Sequence, residues 1–369
     1  GQPLEQHGEV RLPARTRPSA TDPAVRVGPL MSIPGLLREF DCDPEAVLAS
    51  VGLDTEKFSD PDTEIPYFAA SRLLARCVSA TGCEHFGLLV GRRAGPSSLG
   101  VAGFMLGSAA DIATALHDLQ QHLNLHDQGG MLVLRAEKDI VLLGYTIQET
   151  RAEATDQIYD LSIAVACNIM RNLCGQSWNP TEVLLSRRLP QDLMPYRRFF
   201  RAPLHLDAAQ SGVKFPGRWL SHKLVSADPL LHRHLEKEAL TLHERRNISF
   251  IETLRRSLHK HLLNRSCTVT NVAMDVRMHH RSLNRRLRDH GTSFRDELDK
   301  ARYTMACQLL ADSTIPITRI ATILNYSDAT GFTRAFKRWS GTTPARWRDG
   351  DRSCSQRLSR AAYCESDSP

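Results

Sequence analysis

The last third of the chain carries one apolar pattern twice, and this repeat constrains the fold more than any other feature. In each copy, apolar residues recur at i, i+3, i+4 and i+7, which places them on one face of a short helix. The repeated positions, about 48 apart, are Val269, Val272, Ala273 and Val276, then Ile317, Ile320, Ala321 and Leu324. A turn and a second, basic segment follow, with Leu283 and Leu287 in one copy and Phe332 and Phe336 in the other. The repeat predicts a duplicated helix-turn-helix.

The positive charge of the chain is concentrated in this region. Residues 260–350 contain 16 Lys or Arg against 8 Asp or Glu, whereas the whole chain has a formal net charge of +6. Because phosphate neutralisation supplies most of the non-specific affinity for DNA, this distribution predicts a DNA-binding module joined to a sensing or oligomerising domain. A merely solvated helix face explains less, since the excess coincides with the repeat.

A long helix is predicted between the two copies. Gly291 can end the preceding helix in a left-handed cap, and Ser293 with Asp296 resembles a helix start signal. From 294 to 312 the sequence contains no Pro or Gly and has a mostly apolar stripe. Such a helix spans about 28 Å, close to the roughly 34 Å between major-groove segments on one face of a duplex. One polypeptide can therefore read two adjacent groove segments.

The second copy resembles a known family signature. Residues 319–327 (RIATILNYS) and 331–341 (GFTRAFKRWSG), followed by Pro344 and Arg348, are similar to the signature of AraC/XylS-type transcription regulators. The resemblance extends over residues 267–348. It implies an all-α domain that binds promoter DNA.

Two positions depart from the family pattern. Asn325 stands where Gly is usual, and Gly331 stands where Ser or Ala is usual. Asn tolerates the left-handed conformation better than most residues, so the turn is expected to survive. Gly331 inside a helix costs roughly 0.5–1 kcal/mol relative to Ala, which predicts a less rigid second recognition helix.

The resemblance also implies which side chains meet DNA. The residues expected to read base edges are Arg281, Asn284, Arg285, Ala329, Thr330, Thr333 and Arg334. Those expected to contact phosphates, with plain solvation as the alternative, are His280, Arg286, Arg288, Lys337, Arg338 and Arg348. The chemistry suits these roles, because Arg pairs bidentately with guanine, Asn pairs with adenine, and Ala or a Thr methyl meets the thymine methyl.

Composition divides the rest of the chain. Residues 1–30 are rich in Pro, Arg and small polar residues, which predicts a disordered extension. The segments expected after it are a regulatory domain over 31–225, a helical linker over 226–264, the DNA-binding domain over 265–350 and a disordered tail over 351–369. The regulatory domain is expected to be mostly α-helical with a small β-sheet, an α+β fold.

Periodicity and turn signals locate the elements. Helices are predicted near 32–41, 44–51, 67–80, 109–124 and 155–173. Segments 131–136 and 140–147 predict a β-hairpin, and shorter strands are predicted at 182–185, 204–206 and 212–215. Apolar stripes along 228–245 and 249–263 suit either dimer contacts or packing within their own chain.

The regulatory domain has a resemblance of its own. The order of its short motifs is similar to the amino-terminal effector domain described as arabinose-binding-like in one AraC subfamily. These motifs include Gly52-Leu53, Gly87-Leu88, Leu99-Gly100, Ala115-Leu116, Trp178-Asn179-Pro180 and residues 196–200. The resemblance implies a small-molecule effector but does not identify a sugar, because aromatic and acidic residues are not concentrated here. An apolar or amphipathic molecule is an equal candidate.

Catalytic and metal signals are weak. The sequence contains no Gly-rich phosphate loop, no Gly-x-Ser-x-Gly and no His-Glu-x-x-His. His117, His122 and His126 come close to one helical face but lack a clear further ligand. No catalytic residues, cofactor or metal are therefore expected. Nine cysteines without a Cys-x-x-Cys indicate reduced thiols and a cytoplasmic location. The absence of an apolar stretch near 18 residues predicts no membrane span.

The expected function is sequence-specific transcription regulation. The implied partners are promoter DNA, an unidentified small-molecule effector, RNA polymerase and a second copy of the chain in a homodimer. The alternative is a DNA-repair alkyltransferase that uses the same DNA-binding module. Such an enzyme needs a four-Cys zinc cluster or an activated Cys beside a His, and Cys174 has no His neighbour in Asn172-Leu173-Cys174-Gly175.

Overall fold

The computed structural model describes residues 22–149, 151–246, 250–264 and 266–350. At its start, strand β1 (Ala24–Arg26) pairs with β2 (Glu64–Pro66), and a 3₁₀ turn (Gly28–Leu30) follows β1. The sequence prediction of disorder over 1–30 is therefore wrong for residues 24–30. Val25, Val27 and Leu30 enter the amino-terminal core, and this burial outweighs the polar bias of the segment. Residues 1–21 and the predicted tail at 351–369 lie outside the described residues.

The amino-terminal part is an α+β unit, as predicted. Its helices are α1 (Ile33–Glu39), α2 (Pro44–Ala49), α3 (Tyr67–Thr81), α4 (Phe86–Gly91), α5 (Val101–Ser108), α6 (Ile112–His122), α7 (Thr155–Cys174) and α8 (Met194–Phe200). Its larger sheet contains β3 (Gly130–Glu137), β4 (Ile140–Ile147), β5 (Glu182–Leu184), β6 (Leu204–His205) and β7 (Ser211–Pro216). The spatial order is β3-β4-β7-β5-β6, with only β5 and β6 parallel. The predicted hairpin is confirmed as β3 and β4, whereas α4, α5 and α8 were not predicted.

Helix α7 organises the amino-terminal core. It packs against α4 on one side and against β4 and β7 on the other. The approach to α4 is so close that a Cβ on Gly91 would lie 2.4 Å from the carbonyl oxygen of Leu161. The Gln157 side chain accepts a hydrogen bond from the Gly87 N–H at 2.8 Å, which fixes the register of the two helices. Helix α7 therefore contacts α3, α4 and the larger sheet.

The carboxyl-terminal part is all α-helical. Its elements are α9 (Pro229–Arg246), α10 (Phe250–Leu263), α11 (Val269–Asp275), α12 (His280–Asp289), α13 (Phe294–Asp312), α14 (Ile317–Ile323), α15 (Ala329–Ser340) and a last helical segment at 344–350. Helix α13 has the bounds expected for the long helix between the two repeats. A second hydrophobic core, separate from that of the amino-terminal part, is shared by α10 and the helices that follow it.

The two helices of the predicted linker belong to different cores. Leu254, Leu258 and Leu262 of α10 are fully buried in the second core. Leu235 and Ala239 of α9 instead pack near α5 in a small cluster on the amino-terminal side. The α10 stripe thus packs within its own chain, and so does the central part of the α9 stripe, whereas Leu231 at its start is 47% exposed. The two helical segments expected within 226–264 are present as α9 and α10.

Candidate DNA interface and ligand cavity

The turn has the same backbone conformation in both repeats. Arg277 in the first turn and Asn325 in the second are left-handed, with φ of 55° and 62°. In each turn the next residue closes the same hydrogen bond. The bonds are Met278 N–H to Ala273 carbonyl at 2.8 Å and Tyr326 N–H to Ala321 carbonyl at 2.9 Å. The duplication seen in the sequence is therefore a duplication of backbone geometry.

Helix α12 has a buried inner face and a polar outer face. Leu283 and Leu287 are fully buried, and the His279 side chain accepts the Arg281 N–H at the helix start. The three positions expected to read bases on this helix, Arg281, Asn284 and Arg285, are all exposed. This arrangement leaves two guanidinium groups and one amide turned away from the protein.

Helix α15 repeats the arrangement with aromatic residues inside. Phe332 and Phe336 are fully buried, and the carboxylate of Asp328 accepts the Gly331 N–H at 2.7 Å at the helix start. A Cβ on Gly331 would meet nothing closer than 3.6 Å, so no close contact requires this glycine. Among the base-reading positions expected on this helix, Thr330 and Arg334 are exposed, and Ala329 and Thr333 are half-buried.

The residues expected to contact phosphates differ in their contacts within the protein. His280 and Lys337 are exposed. The Arg286 guanidinium lies 4.4 Å from the centre of the Phe250 ring, and Arg288 Nε donates to the Asn284 carbonyl at 3.4 Å. Arg338 forms an ion pair with Asp299 at 2.9 Å.

Arg348 makes a contact within the protein. Its guanidinium donates to the Ile315 carbonyl at 2.7 Å, and the side chain is half-buried. The sequence around Arg348 does not indicate this hydrogen bond, because the partner carbonyl lies 33 residues earlier in the chain. Arg348 therefore ties the last helical segment to the residues before α14, and a phosphate contact would have to use its other N–H groups.

A buried carboxylate holds the spacer helix α13 in place. The Glu297 side chain is 1% exposed and accepts hydrogen bonds from Arg255 at 2.9 Å, Lys300 at 2.7 Å and Thr292 at 3.0 Å. Burial by itself raises the pKa of Glu297, but the hydrogen bonds from Lys300 and Arg255 outweigh it and leave the pKa lowered. The charged form of Glu297 thus joins α10, α13 and the end of the first motif.

The amino-terminal domain contains a partly open cavity of about 100 Å³. It lies between α3, α7, the β3–β4 hairpin and the 24–30 segment. Most of its lining is aliphatic, with Leu30, Leu74, Leu119, Leu132, Ile158 and Ile169 among the contributors. Two tyrosines, Tyr67 and Tyr145, also line it.

The two tyrosines are held by a buried hydrogen-bond chain. Tyr145 donates to the Asp127 carboxylate at 2.6 Å, and the two tyrosine hydroxyls are 2.8 Å apart. Asp127 also accepts the N–H groups of Gly129 and Gly130, at 2.9 and 3.0 Å. Burial raises the pKa of Asp127 and raises the pKa of both tyrosines well above 10.0. Sequence reasoning missed these residues, because 78 positions separate the tyrosines and no local motif marks them.

The described residues contain no cluster of three or more His, Cys, Asp or Glu that could hold a metal ion. His122 pairs instead with His243, at 2.9 Å. Burial raises the pKa of Cys174 to about 12, so its thiol stays protonated at neutral pH and is poorly suited to nucleophilic attack. Within the described ranges, no helix is both long and apolar enough to cross a membrane.

The fold and the site define a class of protein, a DNA-binding regulator with duplicated helix-turn-helix motifs and a separate ligand-binding domain. Residues 42–224 match the family described as "Arabinose-binding domain of AraC transcription regulator, N-term", and residues 272–350 match the family "Helix-turn-helix domain". The chain belongs to the AraC family of transcriptional regulators, as its sequence motifs indicated. It is a sequence-specific DNA-binding regulator with an amino-terminal ligand-binding domain.

The chain is similar to several proteins named as regulators. The HTH-type transcriptional regulator VirS of Mycobacterium tuberculosis is 26% identical over 348 residues, covering 88% of this chain and 96% of VirS. The Ornithine utilization regulator of Pseudomonas aeruginosa is 22% identical, covering 85% of this chain and 93% of its own length. The crystal structure of the transcriptional regulator CdpR from Pseudomonas aeruginosa aligns with a TM-score of 0.41 and 22% identity, covering 85% of this chain and 98% of CdpR. None of these matches supports the alkyltransferase alternative.

Proposed function

We propose that α12 and α15 read two neighbouring major-groove segments of a promoter, and that a small molecule in the amino-terminal cavity changes how they engage it. One observation carries the proposal. Each of two equivalent motifs turns hydrogen-bonding side chains of its second helix away from the core, while a 19-residue helix separates the motifs. That helix has the length of about one groove repeat on a single face of DNA.

The base contacts follow from side-chain chemistry. In the first motif, Arg281 and Arg285 suit guanine and Asn284 suits adenine. The second motif offers Ala329, Thr330, Thr333 and Arg334, which suit thymine methyl groups and one guanine. Helix α12 thus offers more hydrogen bonds to bases, and α15 offers mainly contacts with methyl groups and one guanidinium donor.

Phosphate contacts are proposed for the remaining basic residues of these helices. They are His280, Arg286, Arg288, Lys337 and Arg338. Arg338 would have to give up or share its ion pair with Asp299, which makes it the weakest of these assignments. The DNA-binding unit is proposed to begin at about residue 250, because α10 completes its core.

The contacts between the two domains support a coupling between ligand and DNA. Gln308 on α13 donates to the carbonyl of Ile147 at the end of β4, at 3.1 Å. Just beyond α13, the Thr314 N–H donates to the Asp207 carboxylate at 2.8 Å. The guanidinium of Arg188 donates to the Ala311 carbonyl at 2.6 Å. All three bonds join the regulatory domain to the spacer between the two motifs.

Tyr145 lies where the two domains and the ligand cavity meet. It lines the cavity, and it also lines a second small pocket at the domain boundary together with Met305 and Leu309 of α13. A molecule that displaces Tyr145 would therefore alter the packing of the spacer helix. Because α13 sets the separation of the motifs, such a shift would change the fit to DNA.

Self-association is proposed through α5 and α9. Phe104 on α5 is 57% exposed, and Leu230 and Leu231 on α9 are 74% and 47% exposed, although the two helices pack together. We propose that a second copy covers this surface, and that the promoter-bound dimer contacts RNA polymerase in the cytoplasm. Sedimentation of the purified chain tests the dimer directly, and a concentration-independent monomer would contradict it.

Selection of DNA by the purified chain tests the reading of bases. Arg285→Ala is expected to weaken binding to the selected site by ~1–3 kcal/mol and to relax the preference at one base pair. Arg38→Ala, at an exposed position on α1, is the matched control and should change neither. If Arg285→Ala weakened binding to the selected site and to random DNA equally, Arg285 would be a phosphate contact and the proposed base reading would be wrong at that position.

A further inference from the structure

We propose that the amino-terminal cavity takes a small uncharged molecule with an apolar body and a single hydroxyl or carbonyl group, and that it rejects sugars. The inference rests on the proposed function, in which this cavity is the effector site. It departs from the family description of the domain, which refers to arabinose.

The walls of the cavity are mostly apolar and poorly matched to a sugar. Side chains from α3, α6, β3 and α7 present mainly methyl and methylene groups, including Leu74, Leu119, Leu132 and Ile169. Every hydroxyl of a buried pentose needs a hydrogen-bond partner, since a buried polar group without one is destabilising. An apolar molecule pays no such cost and gains from leaving water.

The hydroxyl groups of Tyr67 and Tyr145 already donate their hydrogens within the protein. A hydroxyl has one hydrogen, and Tyr145 gives its own to Asp127. The 2.8 Å contact between the tyrosines therefore requires Tyr67 to donate to Tyr145. Both hydroxyl oxygens then offer only lone pairs to a ligand. Together with the buried carboxylate of Asp127, they disfavour an anion in this part of the cavity.

The glycines beside Asp127 show that this tyrosine pair is built closely into the fold. A Cβ on Gly129 would lie 2.2 Å from the Tyr67 ring, and a Cβ on Gly130 would lie 1.9 Å from the Tyr145 hydroxyl. The side chains of Tyr67 and Tyr145 therefore pack directly against the backbone of Gly129 and Gly130. The same two residues donate their N–H groups to Asp127, so the position of the hydroxyl pair is fixed before any ligand enters.

Two other polar atoms at the cavity have no hydrogen-bond partner among the described residues. They are Nδ1 of His126 and Nε of Arg26, and both are buried. The two residues are neighbours, because the Arg26 N–H donates to the His126 carbonyl at 2.9 Å, and both line the cavity. Buried polar atoms normally have hydrogen-bond partners. One hydroxyl or carbonyl group of a ligand would supply a partner for these two atoms.

The charge balance favours an uncharged ligand. Arg26 donates to Asp62 at 2.9 Å and lies 3.9 Å from Glu64, so its positive charge is already compensated. His126 is 5% exposed, and burial lowers its pKa to about 3, which leaves the ring neutral. A carboxylate would therefore enter without a free countercharge. An ammonium group would meet the Asp127 carboxylate, whose oxygens already accept hydrogen bonds from Tyr145, Gly129 and Gly130.

The volume sets the size of the molecule. The cavity measures about 100 Å³. An apolar protein cavity of roughly 150 Å³ is known to hold benzene, so this smaller cavity limits the ligand to one small ring or a short chain, and a substituted ring enters only if lining side chains such as Tyr145 move. We choose p-cresol as the probe, because it combines one ring with one hydroxyl. The comparison compounds are benzoate, which is charged, and L-arabinose, which is polar throughout.

Calorimetry and thermal unfolding of the full chain test the inference. p-Cresol is expected to bind saturably and to raise Tm, whereas benzoate and L-arabinose should do neither at the same concentrations. Binding of L-arabinose or benzoate in preference to p-cresol would overturn the inference. Failure of all three to bind would also overturn it.

Cavity variants place the bound probe. Ala166→Leu fills part of the cavity and is expected to weaken p-cresol binding at least tenfold. Leu74→Ala enlarges it and should shift the preference from p-cresol toward the longer p-propylphenol, a result that a folding defect would not produce. Arg76→Ala, exposed on the same helix as Leu74, is the control. An unchanged size preference in Leu74→Ala would contradict this cavity as the binding site.

DNA binding is measured separately so that the two proposals can fail independently. If the chain selects a DNA sequence but does not bind p-cresol, the ligand class is wrong and the DNA-reading function stands. If p-cresol binds and the chain selects no DNA, the ligand class stands and the proposed base reading fails. The inference together with the proposed coupling predicts that saturating p-cresol changes the affinity for the selected DNA at least fivefold.

Discussion

Replacing Arg277 with glycine should stabilise the protein, because the first turn forces a residue with a Cβ into the left-handed region. Arg277 has φ of 55°, and the equivalent Asn325 in the second turn has φ of 62°. The left-handed conformation costs an L-residue roughly 1–2 kcal/mol. Glycine avoids this cost but loses about 0.5–1 kcal/mol through the entropy of its unfolded state. The net expectation for Arg277→Gly is a gain of ~0.5–1 kcal/mol in the free energy of unfolding.

The assay is urea unfolding of the full chain followed by circular dichroism, with the transition of the carboxyl-terminal core fitted separately. Arg277→Ala is the matched control, since it removes the charge but keeps the Cβ and should give no gain. Asn325→Gly should gain less than Arg277→Gly, because Asn tolerates the left-handed region and its side chain contacts the Leu262 carbonyl at 3.4 Å. Equal stabilisation by glycine and alanine at 277 would show that charge is the cause. Destabilisation by glycine would refute the left-handed turn.

Two further predictions concern the second core, and a third concerns the contact between the domains. A fragment of residues 250–350 should fold and bind DNA, whereas one of 264–350 should not show cooperative unfolding, because it lacks the buried leucines of α10. Glu297→Gln should lower the free energy of unfolding by about 1–2 kcal/mol at neutral pH. Since the folded pKa of Glu297 is lowered, its contribution is present above the ordinary value of 4.5 and is lost as pH falls through the folded pKa, so wild type and variant should converge in acid. Gln308→Ala should leave ligand binding intact and reduce the ligand effect on DNA affinity, which fluorescence anisotropy measures; an unchanged effect would remove Gln308 from the coupling.

The elements that local sequence dictates were predictable. Helix α13 lacks Pro and Gly and begins at a Ser293 cap, and its predicted bounds agree with the structure. The hairpin of β3 and β4 was also found, because both strands are rich in apolar and β-branched residues around a short polar turn. The exposure of Arg281, Asn284 and Arg285 follows from helical periodicity alone once Leu283 and Leu287 define the inner face.

Features that depend on tertiary partners could not be predicted. Helix α5 (VAGFMLGS) is apolar on nearly all sides because it lies between α6 and α9, so it has no polar face to reveal a helical period. Residues 24–30 resemble a disordered segment until β2 and the core supply partners. The ligand cavity combines residues from α3, β4 and α7, and no local pattern brings Tyr67, Asp127 and Tyr145 together.

The central claim is that the two motifs read DNA together, held about one helical turn apart by α13. The most direct measurement is the sequence of random DNA fragments retained by the full chain. Two half-sites with centres about 10–11 base pairs apart are predicted, with the preference at one base pair of the first relaxed in Arg285→Ala and at one base pair of the second relaxed in Arg334→Ala. Retention of unrelated sequences, or a single half-site unaffected by either substitution, would contradict the account.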